Sequence, residues 1–296
     1  MPLKQEPKRS RTAQVLFYLA KLGLSLLILW LIFRRVDLGE VLRELAQIPV
    51  YIVLLVLAIT MMRQYLQYRN WRYALKLNPW FCVDEKQISR SYLIGIPLRF
   101  LLPGGHGSFA KVFFIDNSSK TASIAAVASE KLAQTWAILL FAAGSAFWVF
   151  PGWSPALKLM AFIVIALLPL ILGGFTKWHR DLTVLRDGYR RNIPRMLIIQ
   201  VIAVLLTMLQ YYLLLNTMSA ISFGETTLRM SIVQFSDTIP ITISGLGLRE
   251  SFAMHFLETA GYAGGKAITA TLALFFIQDV LTCIPGLALL IIRKKD

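Results

Sequence analysis

The chain has 296 residues, of which 56% are hydrophobic and 16% charged, and it carries a formal net charge of +15. That balance excludes a soluble globular or disordered protein and points to one integral membrane domain covering 1–296. The charge is not a nucleic-acid footprint, because it is gathered in short clusters between apolar runs, where anionic lipid headgroups are the ordinary partner.

The first element is a basic tail, 1–13, with Lys4, Lys8, Arg9 and Arg11, followed by an apolar run at about 14–33. The run is too long for the core of a signal peptide and no small-residue cleavage site follows, so an uncleaved first span is expected. The next run, about 48–62, falls short of the ~20 residues that cross the hydrocarbon. It is extended to about residue 68, with Arg63 at its end snorkelling to the headgroups. A broken segment at about 88–115 follows, containing Pro97-Leu-Arg-Phe-Leu-Leu-Pro-Gly-Gly-His-Gly107. Spans are expected at about 121–150, 156–175 and 196–218, with a polar connector over 176–195. A second broken segment, about 231–260, contains Ile239-Pro-Ile-Thr-Ile-Ser-Gly-Leu-Gly-Leu-Arg-Glu250, and a last span covers about 267–292.

With six full spans, the basic tail and the clusters at 63–90, 177–195 and 293–295 share one side, provided that each broken segment leaves on the side it enters. The positive-inside rule places that side, with both termini, in the cytoplasm. The expected fold is all-α: a polytopic helical membrane protein with six to eight transmembrane segments, including two re-entrant or broken-helix segments of opposite orientation. The eight-span version stays open. The inner or plasma membrane is the expected location, and Trp71, Trp80, Trp148, Trp153 and Trp178 read as interfacial anchors.

Backbone leaves helical geometry at bilayer depth only where protein or a water-filled cavity satisfies it, so the two broken segments mark a cavity. Ionisable residues there are candidate functional groups. Arg249 offers a planar five-donor fork to an anionic headgroup, with Glu250 orienting it; the competing reading is a structural pair that pins the turn after Gly247. Gly245 and Gly247 allow close backbone approach and free N–H groups near a helix starting at Leu248, and Ser244 and Thr242 add hydroxyls. Arg99 matches Arg249 in the first break, beside Gly104, Gly105, Gly107 and His106, the last read as polar lining. Lys111 is expected at the cytoplasmic interface. Glu130, next to Lys131, is a partner for Arg99 or Arg249, a proton carrier, or a shallow structural acid. Asp237 precedes Pro240, and Asp279 interrupts the final span, where it should face the interior against an arginine or serve a proton relay. The histidines and the two cysteines, Cys82 and Cys283, lack metal-ligand spacing, and no nucleotide or nucleophile motif is present, so no metal, cofactor or disulfide is expected.

The order Leu102-Pro-Gly-Gly-His-Gly107, then Ser129-Glu-Lys131, then Ile239 to Glu250 resembles the lysylphosphatidylglycerol synthase transmembrane-region family, over nearly the whole chain. Gly-Leu-Gly-Leu-Arg-Glu250 is the most specific part. The resemblance implies a flippase-like fold acting on anionic phospholipids, their aminoacylated derivatives, or polyprenyl-linked and glycosylated lipids. Two motifs depart from the family pattern. Gly105 and Ser108 stand where an arginine and an acid are usual, and Gln134 replaces the aspartate of Glu-Arg-x-x-Asp, leaving a less charged site. No acyltransferase-like domain is expected after residue 296, so the protein should not itself attach lysine to lipid.

The function expected from these residues is binding and transbilayer movement of a phosphate-bearing lipid, without enzymatic activity. The alternative is a non-transporting accessory protein that presents a lipid-linked substrate to a glycosyltransferase or another lipid-modifying enzyme. A homodimer is a further open partnership. An intramembrane phosphatase using His106 and Glu130 would lack a nucleophile or metal.

Overall fold

The computed structural model describes residues 38–292 apart from 83, 100–102, 118–119, 179–185, 240 and 243–244. The expected tail and first span, 1–33, lie outside the described residues, as do Pro240 and Ser244. Ten α-helices are present among the described residues: α1 Leu38–Gln47, α2 Val50–Leu75, α3 Glu85–Leu98, α4 Lys120–Val149, α5 Pro155–Trp178, α6 Arg186–Met218, α7 Phe223–Phe235, α8 Leu248–Glu258, α9 Gly264–Phe275 and α10 Cys283–Ile292. A 3-10 segment, Pro103–Phe114, follows α3, and a π-helical turn, Phe276–Val280, joins α9 to α10.

Local chemistry sets the helix starts. The Asp84 carboxylate accepts from the N–H groups of Lys86 and Gln87 at 2.9 and 3.3 Å and caps α3, and Ser222 Oγ accepts from Glu225 N at 3.1 Å and caps α7. Pro155 opens α5, where its missing N–H is no loss. Residues 186–195, expected as connector, are helical: the charges of this stretch lie on a helix that runs on into the apolar span. Likewise α2 continues to Leu75, because Arg69 and Arg72 do not break a helix.

Four stretches are long and apolar enough to cross a membrane, Val50–Leu75, Lys120–Val149, Asp187–Met218 and Gly264–Leu289. Large apolar side chains such as Leu54, Met61, Leu159, Val164 and Leu170 are exposed on the outside of the bundle. Polar groups such as Thr60, Gln200, Gln210 and Thr271 are buried inside. This inverted distribution is that of a chain whose solvent is lipid, and the protein is a polytopic helical membrane protein.

Helices α2 and α6 pack antiparallel, since Gln210 Nε2 donates to Val56 O and Thr60 Oγ1, Gln67 and Gln200 exchange hydrogen bonds at 3.1 and 3.0 Å, and Asn192 Nδ2 reaches Lys76 O. Two hairpins grow from this pair. One, α3 with the 3-10 segment, starts after the C-terminal end of α2; the other, α7 with α8, starts after the C-terminal end of α6. They therefore enter the bundle from opposite ends. At ~1.5 Å per residue the arms α3, α7 and α8 are roughly 17–21 Å long, well short of the ~30 Å hydrocarbon thickness. The second hairpin begins about eight residues earlier than 231, at the Ser222 cap.

The hydrophobic core is divided accordingly. One cluster, with Val56, Met208, Leu214, Met230 and Leu274, fills the end that holds the α6–α7 turn. The other, with Trp71, Leu75, Ile88, Val127 and Met196, fills the end that holds the α2–α3 turn. Trp71, expected as an interfacial anchor, is fully buried here, its Nε1 donating to Ser91 Oγ at 3.0 Å. By contrast Trp80, Trp148 and Trp153 are exposed.

Close packing holds the first hairpin to the last helix. A Cβ on Gly286 of α10 would collide with the backbone carbonyl of Leu93 in α3 and with the Pro97 ring. Small residues are what allow such approach between membrane helices. Gly286→Ala is expected to push α3 from α10 and to destabilise the fold by about 1–3 kcal/mol, read as a lower unfolding temperature in detergent.

Candidate functional site

The two hairpin tips meet between the two core clusters, against the π-helical turn. There the N–H of Leu281 donates to Phe276 O at 3.0 Å, one residue beyond α-helical spacing. Thr282 Oγ1 donates to Gln278 O at 2.8 Å, and Cys283 Sγ donates to Asp279 O at 3.0 Å. The turn points Gln278 inward, where its Nε2 donates to Gln210 Oε1 at 3.0 Å. Asp279 is half-buried and pairs with Arg99 from the tip of the first hairpin. The expectation that Asp279 faces the interior against an arginine holds.

Around this point is a cavity of about 490 Å³. Four cations line it, Arg63, Arg99, Lys131 and Arg249, against two carboxylates, Asp237 and Asp279. Arg63 does not snorkel to the headgroups as expected; it faces this cavity from α2. The lining of the cavity is therefore richer in cations than in carboxylates.

Arg249 is the centre of the second tip. Gly245 and Gly247 have φ of +77° and +86°, a region open to glycine, and they turn the chain sharply into α8. Glu250 is fully buried and its Oε2 accepts from Gly247 N at 2.6 Å. The N–H of Gly247 is therefore taken and not free as expected, because Glu250 sits in the N3 position of the helix and reaches back to the cap. Arg249 is 4% exposed. Its nearest carboxylates are Glu250 at 3.6 Å and Asp237 and Asp279 at 3.9 Å, all beyond hydrogen-bond reach. Its Nε and Nη2 are buried with no hydrogen-bond partner among the described residues, as are Thr242 Oγ1 and Gln234 Oε1 of the same cavity. Three carboxylates thus hold the guanidinium in place electrostatically while its donors stay uncommitted.

Gly245 has a second role. A Cβ there would strike the Asp237 carboxylate as well as strain the backbone. Gly245→Ala is expected to cost about 1–3 kcal/mol and to displace Asp237 from Arg249, read as a lower unfolding temperature in detergent.

Other expected site residues lie elsewhere. Lys111 is buried, not interfacial: it pairs with Glu130, and its Nζ sits 3.8 Å from the centre of the Trp71 ring. Glu130 thus partners Lys111 and neither arginine, because the 3-10 segment brings Lys111 back against α4 beside the cavity. These two line a smaller pocket of about 80 Å³ that shares Arg63, Arg99, Lys131 and Gln134 with the main cavity. Gly104, Gly105, His106 and Gly107 belong to the 3-10 segment, and the His106 side chain and Ser244 lie outside the described residues. Sequence reasoning left out Gln234 and Arg63 as site groups. The signal for Arg63 was its neighbours, since Gln64 and Gln67 continue a polar face inward along α2. Among the described residues no group of three His, Cys, Asp or Glu side chains could hold a metal ion.

Among curated proteins nothing matches significantly. The profile of one family, described as the lysylphosphatidylglycerol synthase TM region, matches residues 18–286 and so takes in every element of the cavity. With that coverage, the hairpin tips and the motif at Gly245–Glu250 inside it, the chain belongs to the lysylphosphatidylglycerol synthase transmembrane-region family of lipid-associated membrane proteins.

Proposed function

We propose that the protein binds a phosphate-bearing lipid headgroup in the central cavity and moves it between leaflets, without altering it chemically. The observation that carries this reading is Arg249: a guanidinium buried at the meeting point of two oppositely entering hairpins, with two uncommitted donor nitrogens. A phosphate oxygen placed there would receive the charge-assisted hydrogen bonds that the three carboxylates are too far away to accept.

The cavity wall supports movement of a lipid. Phe109, Leu132 and Ile239 contribute apolar surface to it, and Leu132 is 57% exposed on the outside of α4. On that flank acyl chains can stay in the bilayer while the headgroup enters. The hairpins are then re-entrant, the first from the cytoplasm and the second from outside, and each would close one side of the cavity. Rocking of one against the other would switch access.

The test is leaflet-resolved movement of labelled lipids in proteoliposomes, comparing phosphatidylglycerol, its lysyl derivative and a polyprenyl phosphate. Faster movement of one class than in protein-free vesicles is expected. Retained headgroup binding without movement of any class would overturn transport and favour presentation of the lipid to a modifying enzyme.

A further inference from the structure

A second cavity lies behind the second hairpin. It is an apolar groove of about 320 Å³ between α4, α5, α7 and α8. Helix α4 walls both in succession: its stretch 128–138 faces the polar cavity, and 139–146 faces the groove. The hairpin is shared in the same way, with Gln234 and Arg249 turned to the cavity and Phe235, Phe252 and Phe256 to the groove.

One charged side chain lines the groove, Lys158 from the first turn of α5. It is 6% exposed. Its ammonium donates to Phe147 O at 3.4 Å, a long bond, and no carboxylate pairs with it among the described residues. A lysine near the C-terminal carbonyls of α4 is favourable on dipole grounds alone. Such a lysine, however, ordinarily leaves its ammonium in water or among headgroups. Lys158 instead lies inside an apolar slot, where one long bond to a carbonyl leaves a buried ammonium under-compensated and an anionic partner would stabilise it. Beside it Phe150 and Trp153 stack at 4.8 Å, the aromatic setting of a membrane interface.

We propose that this groove is a second lipid site, which holds one acyl chain of an anionic phospholipid with the phosphate on Lys158 Nζ. Charge complementarity selects the occupant: the slot is apolar along its length and cationic at the end that carries the α4–α5 turn. The site sits where a headgroup leaving the central cavity past the second hairpin would arrive. Its role as a station on that path rests on the transport reading; its occupancy does not.

Trp153 lines the groove and serves as reporter. Brominated phosphatidylglycerol and brominated phosphatidylcholine are titrated into the purified protein, and the Trp153 signal is isolated by subtracting the Trp153→Phe variant. Quenching by the anionic lipid is expected at a several-fold lower mole fraction than by the zwitterionic one. Lys158→Gln should remove about fivefold of that preference, the worth of one lysine near a lipid surface. Ala143→Phe, which fills the slot, should remove quenching by both lipids. Equal quenching by the two lipids in the wild type, or a preference that survives Lys158→Gln, overturns the site. Because the readout involves no transport, loss of lipid movement with this preference intact would count against the preceding reading alone.

Discussion

Arg249→Ala is expected to reduce headgroup-dependent lipid movement to the protein-free level. The guanidinium is the shared counter-charge of Asp237, Glu250 and Asp279 and the only group at the second tip with buried uncommitted donors on a cation among the described residues. Removing it leaves Glu250, fully buried, with its bond to Gly247 N but no cation, so the alanine variant should also lose stability. Arg249→Lys is the sharper variant. It keeps one positive charge and loses the planar fork, so the fold should hold while headgroup affinity falls on the order of 10- to 100-fold, the equivalent of one charge-assisted hydrogen bond. Binding of short-chain phosphatidylglycerol by titration calorimetry reads the affinity, and thermal unfolding reads the fold. Unchanged binding and transport in both variants would sink the assignment of this cavity.

A different loss is expected at Lys111 and Glu130. The pair is buried, with 4% and 7% of each residue exposed, and Lys111 also caps the face of Trp71, which in turn bonds to Ser91. One contact set thereby joins α2, α3, the 3-10 segment and α4. Lys111→Ala or Glu130→Ala leaves one buried charge unmatched, which costs about 3–5 kcal/mol and should lower the unfolding temperature by roughly 10 °C. The double variant Lys111→Met, Glu130→Leu should recover most of that, because replacing both charges leaves no unpaired ion. Single variants that unfold at the wild-type temperature yet fail to move lipid would instead put Glu130 on the substrate path.

The span pattern was legible because bilayer thickness imposes length on apolar runs, and α4, α5 and the α9–α10 stretch fall within a few residues of their expected limits. The breaks that end α3 and precede α8 were legible from proline and glycine in apolar surroundings. The starts of the hairpins were less so, although Asp84 to Gln87 and Ser222 to Glu225 carry the spacing of helix caps. Pairing was the least legible part. That Arg99 meets Asp279, or that Lys111 meets Glu130, depends on how α3 and the 3-10 segment fold back, and no sequence spacing encodes the 180 residues between the first two. Trp71 and Arg63 were misplaced for the same reason: near a span end, an interfacial anchor and an inward-facing group have the same neighbours in sequence.

The π-helical turn at Phe276–Val280 is an α-helix with one residue too many. Its consequence is a phase shift. Each residue added to a helix rotates everything beyond it by about 100°, so α9 and α10 present faces that no straight helix of this sequence could present together. Gln278 reaches Gln210 from within the offset, while Gly286 lies against Leu93 beyond it. A deletion of Val280 alone would restore uniform winding and keep Gly286 in phase with Leu93, while removing the bulge that turns Gln278 and Asp279 inward. The chain thus has a site where the loss of a single residue should spare the packing of α10 and still take away the inward bulge that forms one wall of the cavity.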